Sequence, residues 1–155
     1  MSEVVKVKKL VEDAVVPKMA TIGSAGSDIR ACLYDEETGE KVKRIVIPAN
    51  GRVKIGTGLA FQLPENHVML IVPRSSTGTK KGLTLQNTVG VLDSDYRGEC
   101  YLFFHNTKDE PVEIEDGERI AQVLVIHYPA LKFEEIEKLD DTERGNGGFG
   151  STGLK

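Results

Sequence analysis

A basic surplus, paired cysteines and long apolar runs are all missing from this 155-residue sequence. Lys and Arg number 20 against 24 Asp and Glu, which gives a net charge of −4. Proteins that hold nucleic acid by its phosphates usually carry a basic surplus, so we expect no nucleic-acid partner. Cys32 and Cys100 lie far apart and belong to no C-x-x-C motif. We therefore expect reduced residues in or near the core of an intracellular protein, with a disulfide as the less favoured alternative.

The lack of a long apolar run indicates the cellular location of the protein. The first eighteen residues, MSEVVKVKKLVEDAVVPK, alternate charged with apolar side chains. They match neither a signal peptide nor a membrane span, so we expect a cytoplasmic protein without a membrane partner. A chain of this length has room for one well-packed domain.

Several enzyme signatures are absent as well. The sequence has no G-x-x-x-x-G-K-[ST] loop, no G-x-S-x-G elbow and no H-x-E with P-C-x-x-C. These absences argue against a P-loop enzyme, an α/β-hydrolase and a zinc deaminase. The three histidines, His67, His105 and His127, stand singly in strand-like runs, so we assign them no metal or catalytic role.

Helical periodicity is nearly absent, and the best helical candidate is the short segment FEEIEKL at 133–139. Strand signals are frequent, because β-branched and aromatic residues cluster in short runs that partly alternate with polar ones. The pattern predicts an all-β sandwich, jelly roll or barrel over residues 1–140, followed by a flexible glycine-rich arm at 141–155. The strand candidates span 4–10, 44–49, 52–63, 67–72, 99–106 and 119–128, with the turn sequences ETGE, PANG, PENH, TKDEP and EDGE between them.

The glycine-rich arm contains the spacing G-x-G-x-x-G at Gly145, Gly147 and Gly150. In a dinucleotide-binding loop this spacing follows a strand and opens a helix whose N-terminus holds the pyrophosphate. Five residues follow Gly150, too few for such a helix. A frayed tail without function is the usual interpretation of a glycine-rich end, but it leaves Arg144 and Phe149 among the glycines unexplained.

Five stretches, most of them polar or glycine-rich, lie in or between the strand candidates. Together they supply arginine, serine, acidic and amide side chains and backbone N–H groups, which suit a phosphorylated nucleotide with a divalent metal. They are GSAGSDIRA (23–31), PRSSTGTKKGL (73–83), NTVGVLDSDYRGE (87–99), GERIAQ (117–122) and RGNGGFGSTG (144–153). In order and spacing they strongly resemble the five motifs of the trimeric deoxyuridine triphosphate nucleotidohydrolases (dUTPases), over roughly residues 20 to 153.

That resemblance implies a jelly-roll or β-clip subunit with little helix, assembled into a homotrimer with three shared active sites. The implied activity is Mg²⁺-dependent hydrolysis of dUTP to dUMP and pyrophosphate, by in-line attack of water on the α-phosphate. Such an enzyme keeps uracil out of DNA and supplies dUMP for thymidylate synthesis. Ser27 departs from the family, whose members often have an aromatic residue before the position of Asp28.

The resemblance also assigns roles to single residues. Asp93 matches the general base, because a carboxylate can orient the attacking water and take its proton; the alternative is a turn cap. Asn87 and Tyr96 match the readers of uracil and sugar, and a core aromatic is the alternative for Tyr96. Gly90 belongs to the same substrate-binding motif. Asp28 matches the acidic residue that holds Mg²⁺ through coordinated water.

The remaining implied contacts reach the phosphates or come from the arm. Arg74, Ser75 and Ser76 resemble the phosphate-binding turn, and Gln122 resembles an α-phosphate contact. Phe149 would stack on the uracil, the glycines would let the backbone approach the phosphates, and the arm as a whole would close over the site of a neighbouring subunit. The implied arm contacts are Arg144, Phe149, Gly150, Ser151 and Thr152. By contrast, Arg97 and Arg119 are expected to form structural ion pairs.

Two alternative functions stay open. A dCTP deaminase shares this fold, but it needs a glutamate on the strand after the third motif, where this chain has Glu99 only at the start. A non-catalytic, nucleotide-responsive regulator would use the same site to bind a partner protein.

Overall fold

The computed structural model describes residues 4–35 and 37–148, and within them the chain is almost entirely β. β-branched and aromatic residues form the longest strands, as expected for side chains that pack well on a pleated surface. In chain order the elements are β1 (Lys6–Lys9), β2 (Lys18–Met19), β3 (Ser27–Arg30), β4 (Arg44–Ile47), β5 (Arg52–Gly56), β6 (Leu59–Gln62), β7 (His67–Pro73), α1 (Ser75–Thr79), β8 (Leu83–Leu85), β9 (Gly90–Leu92), β10 (Tyr101–Asn106), β11 (Val112–Glu115) and β12 (Arg119–His127).

The strands are arranged in one five-stranded sheet and three smaller ones, and the pairs within the described ranges are antiparallel. The large sheet has the order β2-β3-β12-β7-β9, and a three-stranded sheet has the order β5-β10-β8. β1 pairs with β6, and β4 pairs with β11. One apolar core packs between them, so the prediction of an all-β fold of the jelly-roll type is confirmed.

Alternation along the strands places one face of each sheet in the core. Met69 and Ile71 of β7 are 1% and 5% exposed, and Leu102 and Phe104 of β10 are equally well covered. Burying each such side chain stabilises the fold by ~1.5–3 kcal/mol. The opposite face of the large sheet contains Asp28 and other polar side chains that belong to the candidate site.

Gly58 divides the strand predicted at 52–63 into β5 and β6. Its φ is +64°, in the left-handed region that glycine adopts without steric cost. A β-carbon at this position would lie 2.7 Å from Cγ2 of Val11 and 2.9 Å from Cβ of Ala14. The two halves of the run therefore enter different sheets.

Four of the five predicted turns contain a residue with a left-handed backbone. Gly39 in ETGE, Asn50 in PANG, Asn66 in PENH and Gly117 in EDGE have φ values of 70°, 56°, 58° and 76°. Glycine and asparagine tolerate this conformation best, which is why the turn signals were readable from sequence.

The helical candidate at 133–139 is wrong. Residues 129–148 form neither helix nor strand, and most of them are exposed. Phe133 is fully exposed and Leu139 is 77% exposed, so the described chain offers this segment no apolar surface to pack on. A helix of two turns does not form on propensity alone. The one helix among the described residues, α1, instead begins at Ser75 within the stretch that starts with PRSS, and it was not predicted.

Both cysteines are free and buried, as predicted. Burial raises the pKa of the Cys32 thiol, and it raises the pKa of Cys100 to about 12 with help from the Glu99 carboxylate. Both thiols therefore stay protonated at neutral pH. Within the described part of the chain, no helix is long and apolar enough to cross a membrane.

Candidate active site

A cavity of about 350 Å³ lies beside β9, and we call it the β9 cavity. Four predicted site residues line it, namely Asn87, Gly90, Asp93 and Tyr96. Asn87 precedes β9, and Asp93 and Tyr96 follow it, so one short strand brings them to one place. Its volume lies in the range of ~300–1,000 Å³ that small-molecule sites usually have. Further lining residues are Ile71, Val91, Leu92, Glu99, Cys100, Tyr101 and Phe103.

Two polar side chains of the β9 cavity, those of Asp93 and Asn87, have no partner among the described residues. The carboxylate of Asp93 and the side-chain amide of Asn87 form no hydrogen bond or ion pair within the part of the chain that the structure describes. Both residues are exposed. The Asp93 carbonyl accepts a hydrogen bond from the Tyr96 N–H at 3.3 Å, which closes the turn, so the backbone rather than the carboxylate shapes this loop. The carboxylate is therefore available to a water or a ligand.

Tyr96 is not a core residue, because its side chain is 46% exposed at the mouth of the β9 cavity. Its hydroxyl donates a hydrogen bond to the Glu99 carbonyl at 3.2 Å. The Glu99 carboxylate accepts a hydrogen bond from the Gly58 N–H at 2.8 Å and so ties this loop to the turn between β5 and β6. That carboxylate is committed to the fold, which weighs against the deaminase alternative.

The backbone beside Asn87 is strained. Thr88 has φ +63°, a conformation that is a genuine outlier for a β-branched residue. The Val89 N–H donates to the Asn87 carbonyl at 2.6 Å, so Thr88 is the centre of a tight γ-turn. At the next position Gly90 lets β9 approach β7, because a β-carbon there would lie 3.0 Å from Cβ of Ile71. Backbone strain of this kind, when it persists, is concentrated at functional sites.

A second group of predicted residues lies on the outer face of the large sheet. Asp28 on β3 is directly opposite Gln122 on β12, and Arg74 follows the end of β7. We call Asp28, Arg74, Arg119 and Gln122 the arginine–aspartate cluster. Gly26 lies against the Gln122 side chain, with a would-be β-carbon 3.3 Å from Cβ of Gln122.

Asp28 is the centre of this cluster, and its side chain is 7% exposed. Its Oδ1 lies 3.0 Å from Nε of Arg74 and accepts a hydrogen bond from the Gln122 amide at 3.3 Å. Its Oδ2 accepts a hydrogen bond from Arg119 at 3.0 Å. The prediction that Arg119 forms a structural ion pair is confirmed. A buried carboxylate needs such partners, because leaving its charge unpaired would be costly.

Ser75 and Ser76 open α1 directly after Arg74. Their hydroxyls have no hydrogen-bond partner among the described residues, and the side chain of Ser75 is exposed. Arg97, beyond β9, donates hydrogen bonds to the carbonyls of Ser94 and Tyr96 at 2.7 and 2.9 Å. Its expected ion-pair role is thus replaced here by contacts that hold the loop after Asp93.

The β9 cavity and the arginine–aspartate cluster lie far apart within one chain. Leu92, the residue before Asp93, is opposite Met69 near the start of β7, whereas Arg74 follows the other end of that strand. Arg74 lies five positions after Met69, which corresponds to about 17 Å of extended chain. Asp93 and Arg74 of the same chain therefore lie near opposite ends of β7.

The arm is described only as far as residue 148. Arg144 is exposed and donates a hydrogen bond to the Gly147 carbonyl at 2.8 Å, so it contacts the arm rather than either group of site residues. The other predicted arm contacts, Phe149, Gly150, Ser151 and Thr152, lie outside the described residues. The division into a domain at 1–140 and an arm at 141–155 stays a prediction, and the last strand ends at His127.

The fit of a divalent metal was tested on Asp28. The described residues contain no group of three or more His, Cys, Asp or Glu side chains that could hold an ion. Oδ1 of Asp28 already has two partners, Arg74 and Gln122, whereas Oδ2 has only Arg119 and keeps a lone pair for a water molecule. The residues present therefore fit an ion held mainly by substrate oxygens and contacted by Asp28 through water.

A larger groove of about 550 Å³ lies elsewhere and contains none of the predicted site residues. Its polar lining includes Arg52, Thr84, Gln86 and His105. We assign the candidate site to the smaller β9 cavity, because a carboxylate and an amide without partners among the described residues meet there beside an exposed aromatic ring.

Three residues that matter here were not identified from sequence as parts of the site. Arg119 was considered structural, yet it is a partner of Asp28. Thr88 shapes the backbone beside Asn87, and its residue type gives no hint of a positive φ. Gly98 lies directly against Tyr96. Its place two residues after Tyr96 is the one signal that could have drawn attention to it.

Comparison with known proteins places these features in a family. A family model described as dUTPase matches residues 12–153. The chain is 45% identical over 151 residues to the deoxyuridine 5'-triphosphate nucleotidohydrolase of Hydrogenobaculum sp., covering 96% of this chain and 97% of the relative. The enzyme of that name from Fusobacterium nucleatum is 41% identical with the same coverage. The solved dUTPase of Staphylococcus bacteriophage 80alpha with dUPNHPP superposes with a TM-score of 0.84 at 25% identity, over 99% of this chain and all of the other.

Proposed function

Because this chain belongs to the dUTPase family, we propose that it hydrolyses dUTP to dUMP and pyrophosphate. The observation that carries the proposal is the unpaired carboxylate of Asp93 in the same cavity as Asn87 and Tyr96. Removal of dUTP would keep uracil out of DNA, and the product would supply thymidylate synthesis.

Asp93 is the proposed general base. An exposed carboxylate without a protein partner can accept a hydrogen bond from water, orient it in line with the α-phosphorus and take its proton. The turn that follows holds Asp93 at the rim of the β9 cavity, where water has access.

Asn87 and Tyr96 are the proposed readers of base and sugar. A carboxamide can donate and accept, so the Asn87 side chain can pair with the uracil edge, and a wrong base would leave buried polar groups unpaired. The flat ring of Tyr96 would lie against the deoxyribose and leave no room for a 2′-hydroxyl. Gly90 contributes by letting β9, which carries these residues, pack closely on Ile71 of β7.

The arginine–aspartate cluster and α1 are the proposed phosphate site. Arg74 is held by Asp28, so its guanidinium is oriented before the nucleotide arrives, and preorganised charge stabilises a developing negative charge best. Ser75 would contact the oxygen that bridges the α and β phosphorus atoms, Ser76 a neighbouring oxygen and Gln122 the α-phosphate. Mg²⁺ would be contacted by Asp28 through water and would offset the charge of the phosphates.

We further propose a homotrimer with shared sites. The position of Asp93 and Arg74 near opposite ends of β7 supports a site in which Asp93 of one subunit works with Arg74 of another. Arg144, Phe149, Gly150, Ser151 and Thr152 of an arm would then close over the nucleotide and exclude water.

Product analysis tests this function. Purified protein is given dUTP, dCTP, dTTP and UTP separately with Mg²⁺, and pyrophosphate and ammonia are followed in each. We expect pyrophosphate from dUTP and little from the others. Ammonia from dCTP would point to the deaminase, and tight dUTP binding without product would point to the regulator.

Removal of the arm tests the closing step. A chain truncated after Glu143 is expected to remain a folded trimer, because residues 129–148 contribute no strand to the sheets. Its dUTP turnover should fall to a small fraction of that of the full chain. Full activity of the truncated protein would contradict the role given to the arm.

A further inference from the structure

Gly98 lies against the ring of Tyr96 at a distance that no side chain tolerates. A β-carbon built on Gly98 would be 2.3 Å from the Tyr96 hydroxyl oxygen, 2.6 Å from Cζ and 3.2 Å from Cε2. Real β-carbons essentially never approach another heavy atom below 3.0 Å. With any other residue at 98, the ring would have to move.

The backbone of Gly98 does not itself require glycine. Its φ lies outside the left-handed region, unlike that of Gly58 or Gly117. Gly98 is exposed, and the three atoms nearest to its would-be β-carbon all belong to Tyr96. The contact with the aromatic ring is therefore the feature that disfavours a side chain at this position.

The Tyr96 ring can move outward into solvent, but a hydrogen bond from its hydroxyl holds it in its present position. Tyr96 is 46% exposed, so a displaced ring would enter solvent at little cost to the fold. Its present position depends on two features, the absence of a side chain at Gly98 and the hydrogen bond from its hydroxyl to the Glu99 carbonyl at 3.2 Å. The Glu99 side chain in turn is anchored on the Gly58 N–H.

We propose that Gly98 is a positioning residue for substrate selection, which sets the distance of the Tyr96 ring from the sugar and thereby the discrimination of dUTP against UTP. This inference rests on the proposed function, because it assumes that the ring excludes the 2′-hydroxyl. Gly98 itself touches no reacting atom and acts through Tyr96.

The test is Gly98→Ala in the full-length protein, with kcat and KM measured separately for dUTP and UTP. The added methyl group displaces the ring, so the ratio of kcat/KM for dUTP to that for UTP should fall by about 10–100-fold, the range in which one small group usually discriminates. Most of the change should appear as a rise in KM for dUTP and as new turnover of UTP. The urea midpoint should stay close to that of the wild type.

Gly23→Ala is the matched control, since Gly23 has no atom within 4 Å of its would-be β-carbon and no left-handed φ. It should leave both ratio and stability unchanged. The double variant Gly98→Ala/Tyr96→Ala should be no less selective than Tyr96→Ala alone, because residues that act through one another are not additive.

Two results would overturn the inference. One is a Gly98→Ala enzyme that discriminates as well as the wild type, and the other is a double variant in which the losses add in full. A wild type that hydrolyses UTP as well as dUTP would instead contradict the sugar selectivity of the proposed function, so the two failures are distinguishable.

Discussion

The β9 cavity and the arginine–aspartate cluster satisfy their polar groups in opposite ways. In the cluster, Asp28 is buried and each of its oxygens has a partner in Arg74, Arg119 or Gln122. In the cavity, the carboxylate of Asp93 and the amide of Asn87 have no partner among the described residues.

The difference separates two ways of preparing a site. A charge buried without a partner is costly, so the cluster pairs its charges and thereby orients Arg74 for a later ligand. An exposed polar group is solvated by water at no such cost, so Asp93 and Asn87 can remain free to bind. Substitutions in the cluster should therefore affect stability and activity together, whereas those in the cavity should affect activity alone.

The largest expected effect is that of Asp93→Asn. The amide keeps the size of the side chain but cannot take a proton, so kcat should fall by about 10²–10⁴-fold or more. The dUTP affinity and the urea midpoint should remain near those of the wild type, because this side chain has no partner in the described fold. Turnover is measured by pyrophosphate release and affinity by calorimetry. Wild-type turnover would rule Asp93 out as the base.

Asp28→Asn tests the arginine–aspartate cluster, where we expect a loss of both stability and activity. Loss of the buried charge leaves Arg74 and Arg119 without their partner, so the free energy of unfolding should fall by about 2–3 kcal/mol, less than for fully buried pairs because both arginines are partly exposed. The kcat/KM for dUTP should fall as well, by at least tenfold in rough terms, since Arg74 loses its orientation. Urea denaturation and pyrophosphate release measure the two effects.

Glu110→Gln serves as the control for that loss. Its carboxylate pairs with Lys108 at 3.3 Å on the surface and is 71% exposed. An exposed ion pair contributes about 0–1 kcal/mol, so this variant should be close to the wild type. Equal free energies of unfolding for Asp28→Asn and Glu110→Gln would contradict the claim that pairing of the buried Asp28 stabilises the fold.

A smaller effect is expected from the thiol beneath the β9 cavity. The Cys100 pKa is about 12 in the folded chain against an ordinary value of 9.0. Because the folded chain keeps this thiol protonated, its contribution to the free energy of unfolding is fully present below pH 9. The contribution is lost as the pH rises towards 12. Between pH 8 and pH 10 the wild type should therefore lose ~1.4 kcal/mol more stability than Cys100→Ala. Parallel urea titrations at the two pH values measure this difference, and identical losses would show that Cys100 ionises normally.

The smallest expected effect concerns the strain beside Asn87. Thr88→Gly removes backbone strain at a positive φ, which costs the folded state ~1–3 kcal/mol. Glycine also gives the unfolded chain more conformational freedom, which cancels ~0.5–1 kcal/mol of that gain in stability. The free energy of unfolding should rise by about 1 kcal/mol. The KM for dUTP should rise a few-fold, because Asn87 is held less firmly. A stability gain without any change in KM would mean that the strain does not serve the site.

The longer strands could be predicted from sequence, and several shorter ones could not. Runs such as 67–72 and 119–128 are rich in β-branched residues and became β7 and β12. Strands β3, β8 and β9 have four, three and three residues, two of them inside the motifs, and too few apolar positions to show a period. They exist because neighbouring strands supply hydrogen bonds, which is a property of the tertiary fold.

The site divides along the same line. Residue types and their order along the chain were enough to predict an all-β fold, the dUTPase family and the residues around Asp93 and Arg74, because chemistry at a motif depends on local composition. They could not predict that Asp28 is enclosed by two arginines, that Gly98 lies against the Tyr96 ring, or that the two groups lie near opposite ends of β7. Those features arise from strand register and packing, which join residues up to 94 positions apart in the chain.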